Sequence, residues 1–196
     1  DLTVTGVQTC ALPISHDLGE WFEIGAWKCR FHRAGHIPGA VMIEIITPEL
    51  TVLWSGDMDT RDSPNVLGAT PVDCDILFLE GTYGNRIHPS RVKEEERFAR
   101  RVQSIVNRGG TALIPAFASG RGQDILRILH REAPNLEVHY DGMGTRVTLD
   151  WLKHPEFIHE PAELQKTWRW CRRVSSKSDR KKALDADVIV TTSGML

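Results

Sequence analysis

The sequence predicts an α/β fold, and three observations carry that expectation. Apolar and polar residues alternate over residues 21–57, the period becomes helical after Ser90, and beyond Gly109-Gly110 apolar strands and amphipathic helices follow one another. The chain has 196 residues, 41% hydrophobic and 26% charged, with a net charge of −2, which suits one or two globular domains. Those values exclude a disordered, fibrous or strongly basic polypeptide. A soluble chain is expected, because no uncharged apolar run approaches the roughly 18 residues of a membrane span; residues 41–46 are interrupted by Glu44. Cys10, Cys29, Cys74 and Cys171 are far apart with no Cys-x-x-Cys pair, so neither a zinc knuckle nor a disulfide framework is indicated, and a reducing cytoplasm fits.

In order along the chain, Trp27, Cys29 and Phe31 alternate with Lys28, Arg30 and His32, and Val41, Ile43 and Ile45 with Met42 and Glu44, the pattern of antiparallel strands. Residues 51–54 follow the Pro48-Glu49 turn as the return arm of a hairpin. Residues 75–79 form a nearly continuous apolar run of the kind found in buried strands. Ser90 is placed to cap a helix whose stripe is Phe98, Val102, Ile105 and Val106, ended by Gly109-Gly110. Strand 111–117, helix 120–131, strand 136–140, helix 147–153, a polar helix from Pro161 and strand 188–192 complete the order, which predicts a parallel, Rossmann-like sheet. The composition shift at residues 84–92 divides a sheet-rich part, 16–90, from an α/β part, 91–196.

Four motifs fall at predicted strand ends, where a rigid scaffold holds chemical groups at fixed separation. They are Ala34-Gly35-His36-Ile37-Pro38-Gly39-Ala40, Ser55-Gly56-Asp57-Met58-Asp59, Leu79-Glu80-Gly81-Thr82-Tyr83-Gly84-Asn85-Arg86 and Ala116-Phe117-Ala118-Ser119-Gly120-Arg121-Gly122-Gln123. Singly, each has a plain structural reading: His36 and Asp57 as turn residues, Glu80 as a paired carboxylate, the glycines as turn formers. In this order, and with Asp141-Gly142-Met143 and Ser193-Gly194-Met195-Leu196, they resemble the beta-CASP nucleases of the metallo-beta-lactamase superfamily. That group includes ribonuclease J and the endonuclease of mRNA cleavage and polyadenylation; the likeness is nearest to archaeal mRNA 3′-end processing factors.

The resemblance implies part of an αββα sandwich followed by a beta-CASP domain with a parallel sheet. It implies that His36 ligates one of two zinc ions, that Asp57 bridges both, and that Glu80 is the catalytic-motif acid supporting a histidine near the leaving group. The activity implied is RNA phosphodiester hydrolysis, endonucleolytic or 5′–3′ exonucleolytic, by a metal-bound hydroxide attacking the scissile phosphate. Ser119, Gly120 and Arg121, with Ser193, Gly194 and Met195, are candidate contacts to the substrate backbone, by phosphate-binding geometry.

The sequence also departs from the family pattern. The His-x-His-x-Asp-His loop expected before His36 is absent, as are two histidines expected after Ser-Gly-Met. Residues 1–15 resemble a translated sequencing adapter and are expected to be non-native. The expectation is therefore an internal fragment with an incomplete zinc site, inactive alone. Position 81 is Gly where Ser is usual.

A single-stranded RNA partner is supported locally by Arg169, Arg172, Arg173, Lys177, Arg180, Lys181 and Lys182 against Asp179 alone, with Trp168 and Trp170 at the edge. The competing reading is a solvated basic helix with inward tryptophans. Arg97, Arg100 and Arg101 among Glu94, Glu95 and Glu96 read instead as a salt-bridged outer face. The alternatives to a ribonuclease are a beta-CASP DNA exonuclease of repair and a noncatalytic RNA-binding scaffold; no membrane partner is expected, and a homodimer is left open. A dinucleotide-binding domain is disfavoured because no Gly-x-Gly-x-x-Gly spacing occurs.

Overall fold

A computed structural model describes residues 16–192 as mixed α/β, with one mainly antiparallel and one parallel sheet. The expectations for residues 1–15 and for Ser193, Gly194 and Met195 lie outside the described residues.

The first sheet has the order β1 (Trp21–Ile24), β2 (Trp27–Arg33), β3 (Val41–Ile46), β4 (Thr51–Trp54) and β5 (Ile76–Phe78). β1 to β4 are antiparallel neighbours, and the 47–50 turn is closed by Thr47 N–H donating to Leu50 O at 3.0 Å. β5 pairs parallel to β4, after a connection through residues 55–75. That connection covers one face, where Ala34, Met42, Leu53 and Ala69 form a small core with Val72 and Cys74 against it.

The strand pattern was legible, but not which face is inside. Register puts Met42, Glu44 and Leu53 on the covered face, and Phe22, Ile24, Trp27, Ile43, Ile45, Val52, Trp54, Ile76 and Phe78 on the other. Glu44 is buried because Arg30 Nε and Nη2 donate to its Oε2 at 2.9 and 2.7 Å, with His32 Nε2 at 2.7 Å. Burial pushes that carboxyl up, yet hydrogen bonds from His32 and Arg30 prevail and hold it below the ordinary carboxylate range. Strand 75–79 corrects the expectation of burial: Ile76, Leu77 and Phe78 are 42%, 49% and 49% exposed. β5 is the sheet edge, and burial depends on neighbours on both sides.

Helix α1 (Arg91–Val106) follows Ser90, which occupies the N-cap position without a side-chain cap bond. Its outer face is salt-bridged through Arg97–Glu94 and Arg100–Glu96, as the charge pattern predicts. Glu95 departs from that pattern: it is buried between Arg91 and Arg131, each 2.7 Å away.

The second sheet comprises β6 (Ala112–Pro115), β7 (Val138–Gly142), β8 (Arg172–Arg173) and β9 (Val188–Thr192), all parallel, in the order β6-β9-β7-β8. Helices α2 (Arg121–Glu132), α3 (Gly144–Lys153), α4 (Pro161–Trp170) and α5 (Lys177–Ala183) occupy the connections, with a short 3-10 turn at Pro155–Phe157. The main core joins Val102 of α1, Leu126 and Leu129 of α2, and Val138, Tyr140, Val188 and Val190 of the sheet. Cys171 lies in the same core, where burial pushes its thiol up to about 11 and leaves it a packing residue.

The basic stretch is broken into the end of α4, strand β8 and helix α5, so no single basic helix forms. Trp168 and Trp170 pack against the core, and Trp170 stacks on His130 with centroids 4.9 Å apart. Among the described residues no helix is long and apolar enough to cross a membrane.

Candidate functional site

β2, β4 and β5 run in the same direction, because β2 and β4 each oppose β3 and β5 is parallel to β4. Their C-terminal ends therefore release three loops at one end of the sheet: 34–40 with His36, 55–60 with Asp57, and 79–82 with Glu80. The alternation of strands thus converts motifs distant in sequence into neighbours.

Hydrogen bonds stitch these loops. Asp59 N–H donates to Ala34 O at 3.0 Å, and Ala69 N–H to Asp59 O at 2.8 Å. Buried Ser55 accepts from Glu80 N–H at 3.0 Å, while the Ser55 amide donates to Phe78 O at 2.9 Å. Glu80 then reaches back: its Oε1 accepts from Met58 N–H at 3.1 Å and its Oε2 from Thr82 N–H at 3.2 Å. The Thr82 hydroxyl, the Met58 amide and, more weakly, the charge of His36 hold the Glu80 carboxyl below the ordinary range, so it stays ionised at neutral pH. Glycine is required at position 35, where φ is +76° and a Cβ would lie 2.1 Å from Asp59 O. Asp59 is itself fixed by Arg61, whose Nε and Nη2 donate to its two carboxylate oxygens at 3.0 and 2.9 Å.

His36 and Asp57 are exposed and Glu80 is half-buried beside them. As donors, an imidazole and a carboxylate suit zinc in kind, but they fall short of it in number. Among the described residues no group of three or more His, Cys, Asp or Glu side chains is arranged to hold a metal ion.

The fourth motif arrives from the second sheet. Residues 116–120 link β6 to α2, and Gly120, with φ of +89°, lies so close to the His36 loop that a Cβ there would meet Ile37 Cγ2 at 2.9 Å. Arg121, the first residue of α2, is 62% exposed. Buried Gln123 secures the turn, its Nε2 donating to Ala118 O and Thr148 Oγ1, both at 2.9 Å. The structure thus packs the turn of Ser119, Gly120 and Arg121 against the loop of His36, which itself adjoins the loops of Asp57 and Glu80. A depression of about 80 Å³ beside the His36 loop, lined by Ile37, Pro38 and Phe157, is smaller than the roughly 300 Å³ of a ligand pocket.

Sequence reasoning missed Ser55, Asn65 and Asp124. Ser55 sat inside a quoted motif, yet nothing marked its hydroxyl as a bridge to another loop. Asn65 stands in a connection without periodicity, and Asp124 reads as an ordinary first-turn helix acid.

No family model matches the chain. Sequence comparison finds relatives named as ribonucleases. The chain is 38% identical over 195 residues to "Probable RNase MJ4" of Methanocaldococcus jannaschii, covering 94% of this chain and 45% of that protein. It is 34% identical over 182 residues to "RNase aCSPSF2" of Saccharolobus solfataricus, covering 91% of this chain and 37% of that protein. It is 41% identical over 136 residues to "Cleavage and polyadenylation specificity factor subunit 3" of Dictyostelium discoideum, covering 68% of this chain and 15% of that protein. The chain thus spans less than half the length of these relatives.

Proposed function

We propose, because this chain belongs to the beta-CASP group of the metallo-beta-lactamase superfamily, that it forms part of a zinc-dependent RNA phosphodiester hydrolase of 3′-end processing or decay. The single observation that carries this reading is the alignment of 94% of the chain with a relative named as an RNase. The meeting of the four motif loops at one end of the first sheet supports it.

His36 and Asp57 would supply two of the ligands of a zinc pair, a set that the described residues do not complete. Such a pair, when bound, would supply positive charge for activating water and stabilising a phosphate. Glu80, kept ionised by backbone amides, holds the Asp57 loop and serves as the supporting acid. Arg121 and the backbone of Ser119 and Gly120, together with Ser193, Gly194 and Met195, contact the RNA backbone. We assign residues 16–90 to the lactamase sandwich and 91–196 to the beta-CASP domain, with residues 1–15 non-native and the whole cytoplasmic. The apolar face carrying Trp54 and Phe78, which no element covers among the described residues, suits a second sheet of an αββα sandwich.

The test uses a polypeptide of the relatives' length that contains these residues. Elemental analysis should find close to two zinc ions, labelled single-stranded RNA should be cut, and Asp57→Ala should lose both. A zinc-free protein that binds RNA without cutting it would be a scaffold, and preferential degradation of DNA would make it a repair exonuclease.

A further inference from the structure

Buried polar side chains join the loops of the first sheet to the first turn of α2. Asn65 is completely buried, and its Nδ2 donates to Asp124 Oδ1 at 2.8 Å. Arg91 Nη2 donates to Asp124 Oδ2 at 3.0 Å, and Arg121 Nη1 lies 3.8 Å from the same oxygen. On the other side of Asn65, its main-chain oxygen accepts from His159 N–H at 2.8 Å, and Arg127 Nη1 donates to His159 O at 3.0 Å. Asp124 therefore ties together the 55–75 connection, α1 and α2, through partners 59 and 33 residues away in sequence that are adjacent only in the fold.

Apolar side chains of the same volume would seal this junction at less desolvation cost. What a hydrogen-bonded carboxamide–carboxylate pair adds is direction and fixed separation. Here the geometry at stake is the seating of the turn bearing Arg121 on the His36 loop.

We propose that Asn65 and Asp124 are positioning residues whose hydrogen bond fixes the Arg121 turn against the His36 loop, and so sets how tightly the two together grip an RNA backbone. The gripping role rests on the RNA reading given above, and the clamping role does not.

The test compares this chain with Asn65→Ala, the nearly isosteric Asp124→Asn, the exchanged pair Asn65→Asp/Asp124→Asn, and Leu164→Val. The last is a change in the separate core cluster of Trp151 and Ile158 that controls for general loss of stability. Two quantities are read: affinity for a labelled single-stranded oligouridylate, and amide hydrogen exchange at residues 118–122. Asn65→Ala is expected to weaken binding about tenfold and to speed exchange at 118–122 while residues 188–192 stay protected. Asp124→Asn should act in the same direction, and the exchanged pair should recover binding to within about twofold by restoring one donor and one acceptor. The proposal is overturned if the Asn65 and Asp124 variants lose no more affinity than Leu164→Val, if exchange at 118–122 is unchanged, or if the exchanged pair recovers nothing. If Asn65→Ala does not fold, Asp124→Asn and the exchanged pair decide. A parent chain that binds no RNA removes the RNA reading and the gripping role with it, and the exchange measurement then decides the clamp alone.

Discussion

In the parallel sheet, Val188 and Val190 of β9 are completely buried between β6 and β7 and beneath α2; in the five-stranded sheet, Ile76, Leu77 and Phe78 of β5 are about half exposed at an edge. Both segments are short apolar runs, and both pair in parallel with a neighbour. They differ in the number of neighbours that the topology supplies. β9 enters its sheet last and is inserted between two strands already in sequence, whereas β5 has β4 on one side only. The same local composition therefore carries stability in one sheet and an open apolar surface in the other.

The largest effect that sharpens this contrast is expected in the main core. Leu129→Ala, at a fully buried position of α2, should cost about 3–4 kcal/mol in urea unfolding. Gly35→Ala comes next, at about 2–3 kcal/mol, since the left-handed backbone and the approach to Asp59 O leave no room for a methyl group. Its signature is local: faster exchange at residues 34–40 and 57–60 than in the second sheet.

Glu44→Gln should be milder, about 1–2 kcal/mol, because Arg30 and His32 retain access to water while the carboxamide pairs less well. Its pH dependence has a definite sign. The folded carboxyl titrates below the ordinary value of 4.5, so its contribution is full above that value and is lost as pH falls through the depressed value. Unfolding curves from pH 7 to 3 should steepen in the parent chain below about pH 4.5 and do so less in Glu44→Gln. A flat difference between the two across that range would remove Glu44 from the account.

The smallest effect tests the other half of the contrast. Trp54→Lys should change stability by less than about 0.5 kcal/mol, as expected for an exposed site, while lowering the binding of an apolar dye to the open face. If Trp54→Lys destabilises as much as Leu129→Ala, that face is covered in solution and the comparison between the sheets fails.

Much of the fold could be read beforehand for physical reasons that are local. Alternation at Trp27 to His32, the turn at Pro48-Glu49 and the stripe of α1 reflect backbone geometry and side-chain period, which act over a few residues. The site was legible as a set of motifs, because His36, Asp57, Glu80 and Arg121 sit at strand ends marked by glycine. Asn65 and Asp124 were not, since a lone Asn in a loop and a helix acid carry no sign of each other at 59 residues' separation. The break of the basic stretch at β8 was missed for a related reason: Arg172 and Arg173 become a strand only because β7 is there to pair with them.

By itself, then, the sequence determined most of the elements and their order, the kinship with relatives named as ribonucleases and the chemical groups carried by the motif loops. Tertiary structure alone decided that β5 is an edge, that Met42 and Glu44 rather than Ile43 and Ile45 face the covered side, and that Asn65 meets Asp124. The reason is the range of the forces involved: propensity and period are summed along the chain, whereas burial and the pairing of polar groups depend on which distant segment topology brings alongside.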